Sequence, residues 1–223
     1  RVKLIGAERT YNYWTLSLQD QNTGEEWQQD ASYLVNASGP WIQDVLGEKL
    51  GLNTPDSVRL VRGSHLVVKR QYEHDKAYFF QGKDGRIIFA IPYEENFTLI
   101  GTTDVDHDLP QTKPFCTSDE QEYLLKFASE YFQTPITSND IIWRYSGVRS
   151  LYEDGANTAA SATRDYFLRV DSSSAPILTI FGGKITTYRK LAESALSTIT
   201  PFFQILDKPW TANTKLPGGD FEV

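Results

Sequence analysis

A mixed α/β (α+β) fold is predicted by three features of this 223-residue chain. Short alternating or apolar runs, separated by turn residues, predict many β-strands. Residues 33–37 form a short apolar run that ends in Ser-Gly-Pro, which is typical of a strand buried on both faces of a parallel sheet. Two longer segments, near residues 118–132 and 184–200, have the spacing of amphipathic helices.

The strands begin with a predicted hairpin, in which Trp14, Leu16 and Leu18 alternate with polar residues. Turn residues at 20–24 connect this strand to a second extended run at 25–29. After the buried strand at 33–37, a short helix is predicted near residues 42–50. The first fifty residues are therefore predicted to form a hairpin, a buried strand and a short helix.

A second group of strands is predicted between Val58 and Thr103. The clearest signal is Gly-Lys-Asp-Gly at residues 82–85, which lies between two apolar runs and indicates a hairpin. Three or four antiparallel strands in succession predict a separate subdomain. Further strand-like runs lie at residues 141–149, 166–170 and 176–181.

The helix near residue 118 has a predicted capping box, with Ser118 at the N-cap and Gln121 at N3. The second helix is predicted to start at Lys184, directly after Gly182-Gly183, and to end before Pro201. Its predicted apolar face comprises Ile185, Tyr188, Leu191, Ala192 and Ala195.

Composition excludes several classes of protein. A net charge of −7 argues against non-specific nucleic-acid binding and against a polybasic membrane anchor. No apolar run approaches the length of a spanning helix. The single cysteine, Cys116, cannot form an internal disulfide, which fits a reducing compartment. The chain begins with Arg1 and contains no methionine, so we expect a piece of a longer protein.

The sharpest motif is Phe-Gly-Gly-Lys-Ile-Thr-Thr at residues 181–187, in which a strand is followed by a glycine turn and a helix. A helix start of this kind favours an anionic ligand, and glycine allows close approach to the backbone. The simpler interpretation, a tight strand-to-helix turn, is equally open. The motif is not a phosphate-binding P-loop, because Leu178 stands where the first glycine would be.

Four cations, Arg144, Arg149, Arg164 and Lys184, lie at the ends of apolar runs. Arginine suits the bidentate grip of a phosphate or carboxylate, although each one taken singly could be a surface ion-pair partner. His65 lies in a strand beside Gly63 and Ser64, where proton transfer and a structural role are both open. The acidic run at residues 104–108 lacks the spacing of a metal motif, so no metal site is predicted.

Six segments, in order along the chain, carry a resemblance to a known family. They are VNASGPW at 35–41, RGSH at 62–65, IGTTD at 100–104, YSGVR at 145–149, TRDY at 163–166 and FGGKITTYRKLAE at 181–193. Together they closely resemble the FAD-dependent (aerobic) glycerol-3-phosphate dehydrogenases, which are D-amino-acid-oxidase-like flavoproteins. The resemblance covers about the middle half of such an enzyme, without its Gly-x-Gly-x-x-Gly turn or its C-terminal helical domain.

The resemblance implies a partial FAD-binding Rossmann-like domain and an antiparallel-sheet substrate-binding domain. Residues 1–45 and 149–200 would belong to the FAD-binding domain, and residues 46–148 to the substrate-binding domain. Residues 201–223, which contain Pro and Gly, would be a linker toward a further C-terminal domain. As cut, such a fragment would be inactive and would bind FAD weakly or not at all.

The implied chemistry is transfer of a hydride from C2 of sn-glycerol 3-phosphate to the flavin, which gives dihydroxyacetone phosphate. His65 is assigned to proton transfer and Arg149 to a place near the reacting carbon. Lys184 is assigned to catalysis and, with Arg164 and Arg149, to the substrate phosphate or the flavin edge. The FAD contacts implied by resemblance are Ala37, Ser38, Gly39, Trp41, Gly182, Gly183, Lys184, Ile185, Thr186 and Thr187.

The resemblance also implies a quinone acceptor and a peripheral enzyme on the cytoplasmic face of the inner membrane, and it leaves a homo-oligomer open. A related FAD-dependent amino-acid or amine oxidase is an alternative. The excess of arginine and lysine at the implied site favours a phosphate over a zwitterion. A non-catalytic fragment, unable to hold FAD as cut, is the other alternative.

Overall fold

The computed structural model describes residues 1–203 and 208–221, which fold into two compact units. The first unit comprises Arg1–Val58, Leu151–Glu153 and Thr163–Val223, and the second comprises Arg59–Ser150 and Asp154–Ala162. The chain therefore leaves the first unit twice, after Val58 and after Glu153, and returns to it each time. The domain boundaries expected near residues 45, 148 and 200 stay predictions.

Twelve strands and three helices are formed by the described residues. The strands are β1 Val2–Arg9, β2 Trp14–Asp20, β3 Glu26–Ala31, β4 Leu34–Asn36, β5 Val58–Lys69, β6 Tyr78–Gln81, β7 Ile87–Tyr93, β8 Phe97–Gly101, β9 Val105–Asp106, β10 Ile141–Tyr152, β11 Tyr166–Asp171 and β12 Ile177–Gly182. The helices are α1 Ile42–Asp44, which continues into a π-helical turn at Val45–Lys49, α2 Ser118–Ser129 and α3 Tyr188–Phe203.

The first unit contains two three-stranded sheets. In one, β1, β2 and β3 form an antiparallel meander. In the other, β12 pairs antiparallel with β11 and parallel with β4. The parallel pairing predicted from the apolar run at residues 33–37 is confirmed. The expected burial on both faces is not, because β4 is the edge strand of this sheet and Val35 is 44% exposed.

A small apolar core holds the first unit together. Trp14 and Phe181 are fully buried, with Ile42 and Leu46 packed in the same cluster. The indole Nε1 of Trp14 donates to the Pro176 carbonyl at 3.1 Å, which satisfies its polar atom. Burial of Ile42 and Leu46 explains why the segment at 42–50 becomes helical, as predicted.

The second unit is built on one sheet with the strand order β10-β5-β8-β7-β6, with β9 paired to β5. β5, β8, β7 and β6 pair antiparallel, as the turn residues at 82–85 predict. Helix α2 covers one face through Leu124 and Phe127, which pack on Leu66 and Ile100. The opposite face carries the candidate site described below.

The capping box of α2 lies one residue earlier than predicted. Thr117, not Ser118, is the N-cap, and Glu120, not Gln121, occupies N3. Glu120 is buried and accepts from the backbone N–H of Thr117 at 3.1 Å. Gln121 instead accepts a hydrogen bond from Arg144 at 2.7 Å. Tertiary partners therefore decide which of two adjacent acceptors caps the helix.

Helix α3 differs from the prediction at both ends. A 3₁₀ turn at Ile185–Thr187 precedes it, so the α-helix begins at Tyr188 rather than Lys184. It also continues through Pro201 to Phe203. Proline lacks the N–H that would bond the Ser197 carbonyl, and the Thr200 hydroxyl donates to that oxygen instead at 3.2 Å. The local substitute explains why the helix does not stop.

The expected apolar face of α3 is not buried. The helix residues, all of which the structure describes, include no buried side chain. Ile185 and Tyr188 are exposed by 89% and 53%. The predicted linker begins inside this helix. Residues 204–207 and 222–223 lie outside the described part of the chain, and residues 208–221 contain one 3₁₀ turn at Thr211–Asn213.

Candidate active site

His65 and Arg149 lie on the same face of the second-unit sheet. His65 is on β5, opposite Gly101 of the neighbouring β8. Arg149 is on β10, the strand that adjoins β5 on its other side. The His65 ring stacks on Tyr145 of β10 with centroids 4.9 Å apart and planes at 5°. Alternate residues of a strand share a face, so Tyr145 and Arg149 project to the same side.

Two glycines make the space for these side chains. A Cβ on Gly101 would lie 2.3 Å from His65 Cδ2, and a Cβ on Gly63 would lie 2.5 Å from Arg149 Nη1. Both separations are far below van der Waals contact. Any larger residue at either position would therefore displace the imidazole or the guanidinium.

The Arg149 guanidinium is fixed by the loop that follows β8. Nη1 donates to Asp104 Oδ1 at 3.0 Å, and Nη2 donates to Thr102 Oγ1 at 3.1 Å. The Arg149 side chain keeps 34% of its surface exposed, so its charge is held in place but remains accessible. A cation held in this way can grip an anionic or partly charged oxygen.

His65 is an unprotonated imidazole near neutral pH. Burial, and then the positive charge of Arg149, lower its pKa from 6.5 to about 4. Its Nδ1 is buried and has no hydrogen-bond partner among the described residues. A neutral imidazole can accept a proton, so the pair combines a base with a fixed cation.

The end of β4 in the first unit has an unsatisfied polar atom. Asn36 Oδ1 accepts from the hydroxyl of Ser38 at 2.6 Å, which fixes the amide. Its Nδ2 is buried without a hydrogen-bond partner within the described residues. Beyond it, Ala37 and Trp41 are exposed, whereas Ser38 and Gly39 are half-buried. A buried donor at a strand end suits a ligand acceptor.

The Gly182-Gly183 turn satisfies its own backbone first. Both glycines have positive φ, 71° and 98°. A Cβ on Gly182 would lie 2.9 Å from the Tyr152 backbone N, and one on Gly183 would lie 2.9 Å from Leu191 Cδ1. The tight-turn interpretation therefore accounts for both residues, and their contact with a ligand stays a prediction.

The residues after this turn are accessible. Lys184, Ile185 and Thr186 are exposed, and the Thr187 hydroxyl donates to the Lys184 carbonyl at 3.0 Å. Arg164 is half-buried and belongs, like Lys184, to the first unit. The predicted site residues thus fall into two sets, His65 with Arg149 in the second unit and the others in the first.

The acidic run at 104–108 is engaged with arginine and backbone. Asp104 pairs with Arg149, and Asp106 with Arg59 at 2.6 Å. His107 is buried with Nε2 at 3.1 Å from the Thr112 carbonyl oxygen. Within residues 1–203 and 208–221, no cluster of three or more metal-ligating side chains occurs.

The family model described as FAD dependent oxidoreductase matches residues 2–189. The chain belongs to this FAD dependent oxidoreductase family. Over the whole chain it is 39% identical to the aerobic glycerol-3-phosphate dehydrogenase of Escherichia coli strain K12, and it covers 45% of that protein. It is 35% identical to the D-erythritol 1-phosphate dehydrogenase of Brucella abortus, with 99% of this chain and 44% of that protein covered.

The structure of Bacillus halodurans glycerol-3-phosphate dehydrogenase with FAD has a TM-score of 0.80 and 29% identity to this chain. The match covers 98% of this chain and 42% of that one. The predicted fold class is thereby confirmed. The chain spans less than half the length of these relatives.

FAD is the cofactor of this FAD dependent oxidoreductase family, and the residues present fit it. The buried and unpartnered Asn36 Nδ2 lies where β4 ends beside its parallel partner β12. Ligands of such sheets bind at the carboxyl ends of the strands. The predicted contacts lie at these two strand ends: Ala37, Ser38, Gly39 and Trp41 after β4, and Gly182–Thr187 from the last residue of β12 onward.

Several residues that shape the site were not predicted from the sequence as parts of it. They are Gly63, Gly101, Thr102, Asp104 and Tyr145. All five lie inside the segments that carry the family resemblance. Strand alternation would have placed Gly63 with His65, and Tyr145 with Arg149, on one face.

Proposed function

We propose that the intact protein oxidises sn-glycerol 3-phosphate at C2 to dihydroxyacetone phosphate. The proposal is supported by relatives that are named glycerol-3-phosphate dehydrogenases and are 39–40% identical over nearly all of this chain. The observation that carries it is the pairing of a neutral His65 with a fixed Arg149 on one sheet face. Oxidation of a secondary alcohol needs a proton acceptor and a means to stabilise the oxygen.

His65 takes the proton of the C2 hydroxyl. Its low pKa leaves the imidazole nitrogen unprotonated at neutral pH, and Tyr145 holds the ring in one orientation. Arg149 binds the same oxygen, whose negative charge grows as the proton leaves. Because Asp104 and Thr102 already hold the guanidinium, little reorganisation is needed during the reaction.

Lys184 and Arg164 supply further positive charge in this proposal. We assign them to the substrate phosphate or to the flavin edge, with Lys184 also contributing to catalysis. The exposed Lys184 ammonium is available for such a contact. Arg164→Ala is expected to raise the substrate concentration required for half-maximal rate more than it lowers the limiting rate.

The FAD-binding residues in this proposal are Ala37, Ser38, Gly39, Trp41 and the segment 182–187. When bound, FAD supplies the two-electron acceptor for the hydride of C2. The protein groups orient the substrate and supply charge around it. We further propose a quinone as the final electron acceptor.

A peripheral location on the cytoplasmic face of the inner membrane and a homo-oligomeric form complete the proposal. Within the described residues, no helix combines the length and apolarity needed to cross a bilayer. Fractionation of the intact protein with and without salt washing tests the location. Its mass in solution, measured by light scattering, tests the oligomer.

The central test is anaerobic reduction of the flavin in the intact protein. Glycerol 3-phosphate is expected to bleach the flavin absorbance, and unphosphorylated glycerol is not. Erythritol 1-phosphate belongs in the panel because one relative carries that substrate in its name. Bleaching by amino acids but not by polyol phosphates would replace this proposal with the amino-acid oxidase alternative.

A further inference from the structure

Glu120 lies behind the candidate site, on the face of the second-unit sheet that α2 covers. Its side chain is 5% exposed and ionised. One carboxylate oxygen, Oε1, accepts from the Ser64 hydroxyl at 2.8 Å and from the Thr103 hydroxyl at 2.7 Å. The other, Oε2, accepts from the backbone N–H and the hydroxyl of Thr117. A single buried carboxylate thus joins two strand-side and two helix-side donors.

The two strand-side partners are direct neighbours of the site residues. Ser64 lies between Gly63, which makes room for Arg149, and His65. Thr103 lies between Thr102 and Asp104, the two residues that hold the Arg149 guanidinium. Glu120 therefore holds, from the opposite face, the segment that carries His65 and the loop that accepts from the Arg149 guanidinium.

The network is closed by charge and by further hydrogen bonds. Arg62 Nη2 pairs with Glu120 Oε2 at 2.9 Å, so the buried charge is compensated. Thr103 Oγ1 also accepts from the Ser64 backbone N–H at 2.9 Å. Ser64 Oγ lies 2.7 Å from Ser146 Oγ on β10, which ties in the strand that carries Arg149. Hydrogen bonds to an ionised, desolvated carboxylate are the strong ones.

We propose that Glu120 is a positioning residue that holds His65 and Arg149 in their reactive arrangement through Ser64 and Thr103. This inference rests on the proposed function, because it assigns a role in the same site. Glu120 touches neither the substrate nor the reacting atoms. Oε1 accepts the two hydroxyls next to the site residues, whereas Oε2 accepts both Thr117 donors and also pairs with Arg62.

Two threonine variants distinguish a positioning role of Glu120 from a purely stabilising one. Thr103→Val keeps the side-chain shape and removes both the bond to Oε1 and the acceptor of the Ser64 N–H. Thr117→Val removes the hydroxyl bond to Oε2. A purely structural Glu120 would make both changes lower the unfolding temperature and leave the site alone. If Glu120 positions the site, Thr103→Val also changes the arrangement of His65 and Arg149.

The first readout is the pKa of His65, measured by NMR of its ring carbon in the intact, FAD-containing protein. The pKa is low because of burial and Arg149, and Glu120 is not among the groups that set it. If Thr103→Val or Glu120→Gln releases Arg149 and admits water, the pKa of His65 rises by about one unit. Glu122→Gln, an exposed glutamate on the same helix, serves as the matched control and leaves it unchanged.

The second readout is the rate of flavin reduction by glycerol 3-phosphate in the same variants. We expect Glu120→Gln and Thr103→Val each to slow reduction about 10-fold to 100-fold. The double variant should be little slower than the slower single variant, since both changes remove one shared interaction. Thr117→Val should reduce the unfolding temperature with a smaller change in rate.

The two readouts distinguish a failure of the proposed function from a failure of the positioning role. If glycerol 3-phosphate does not reduce the wild-type flavin, the proposed function fails, while the His65 titration still decides the role of Glu120. An unmoved His65 pKa in both variants overturns the positioning role. So does an unaltered reduction rate in a protein that the substrate does reduce.

Discussion

The glycines near the candidate site have different structural roles in the two units. In the second unit, Gly63 and Gly101 leave room for the functional side chains Arg149 and His65. In the first unit, Gly182 has a positive φ of 71° and an added Cβ would meet backbone atoms. Gly183, with a φ of 98°, is likewise constrained by its own chain.

The difference shows that a glycine beside a charged residue has two physical meanings. Where φ is positive, the backbone itself requires glycine, whatever binds nearby. Where φ is ordinary and a side chain occupies the missing Cβ space, the glycine serves the neighbour. Substitution separates these cases, because the first lowers stability and the second lowers activity.

The largest effect is expected for Arg149→Ala in the intact protein. Loss of the fixed cation should lower the rate of flavin reduction by glycerol 3-phosphate about 10³-fold. Arg144→Ala is the matched control, since Arg144 lies on the same strand, is exposed and donates to Gln121 rather than to a site residue. Equal rates for the two variants would remove Arg149 from the chemistry, and with it the functional meaning of Gly63.

Gly63→Ala sharpens the comparison more directly. The new Cβ would lie 2.5 Å from Arg149 Nη1, the end of a flexible side chain that can move aside. We therefore expect reduction to slow about 100-fold, as for a displacement of about 1 Å, with an unfolding temperature close to wild type. A large loss of stability with an unchanged rate would reverse the assignment of this glycine.

Gly182→Ala should have the opposite outcome. The residue must keep φ near 71° while its Cβ meets the Tyr152 backbone N at 2.9 Å, and backbone cannot move aside cheaply. We expect a loss of about 1–3 kcal/mol in the free energy of unfolding, measured by urea denaturation. Gly6→Ala is the control in the same unit, because nothing lies within 4 Å of its added Cβ. A loss of the same size in both variants would contradict the backbone explanation.

Much of the fold follows from local pattern. The hairpin of β6 and β7 and the parallel pairing of β4 were predicted, because turn chemistry and apolar runs are local signals. The N-cap of α2 was misplaced by one residue, since Thr117 and Ser118 are equivalent as local signals. Only the tertiary partners of Glu120 distinguish them.

The site was predicted less completely for a similar reason. His65 and Arg149 were named from residue type and from the family resemblance. Their partners Thr102, Asp104 and Tyr145 depend on strand order, which no local pattern contains. Gly63 and Gly101 also carry no side-chain signal, and only the register of β5 with β8 shows what occupies the space beside Gly101.

The smallest predicted effect concerns pH and the second unit alone. The pKa of His65 is about 4 in the folded protein and 6.5 in the unfolded chain, so the unfolded state binds the proton first as pH falls. The unfolding free energy should therefore decrease between pH 6.5 and pH 4.

One unit of pKa difference is worth about 1.4 kcal/mol, and partial exposure of the ring reduces the total to about 1–2 kcal/mol. His65→Gln should flatten this part of the pH profile. Glu120 adds a separate loss only below pH 4.5, as its carboxylate titrates toward a pKa of about 2. A wild-type profile that is level from pH 6.5 to pH 5 would mean that folding does not lower the pKa of His65, which would contradict its burial beside Arg149.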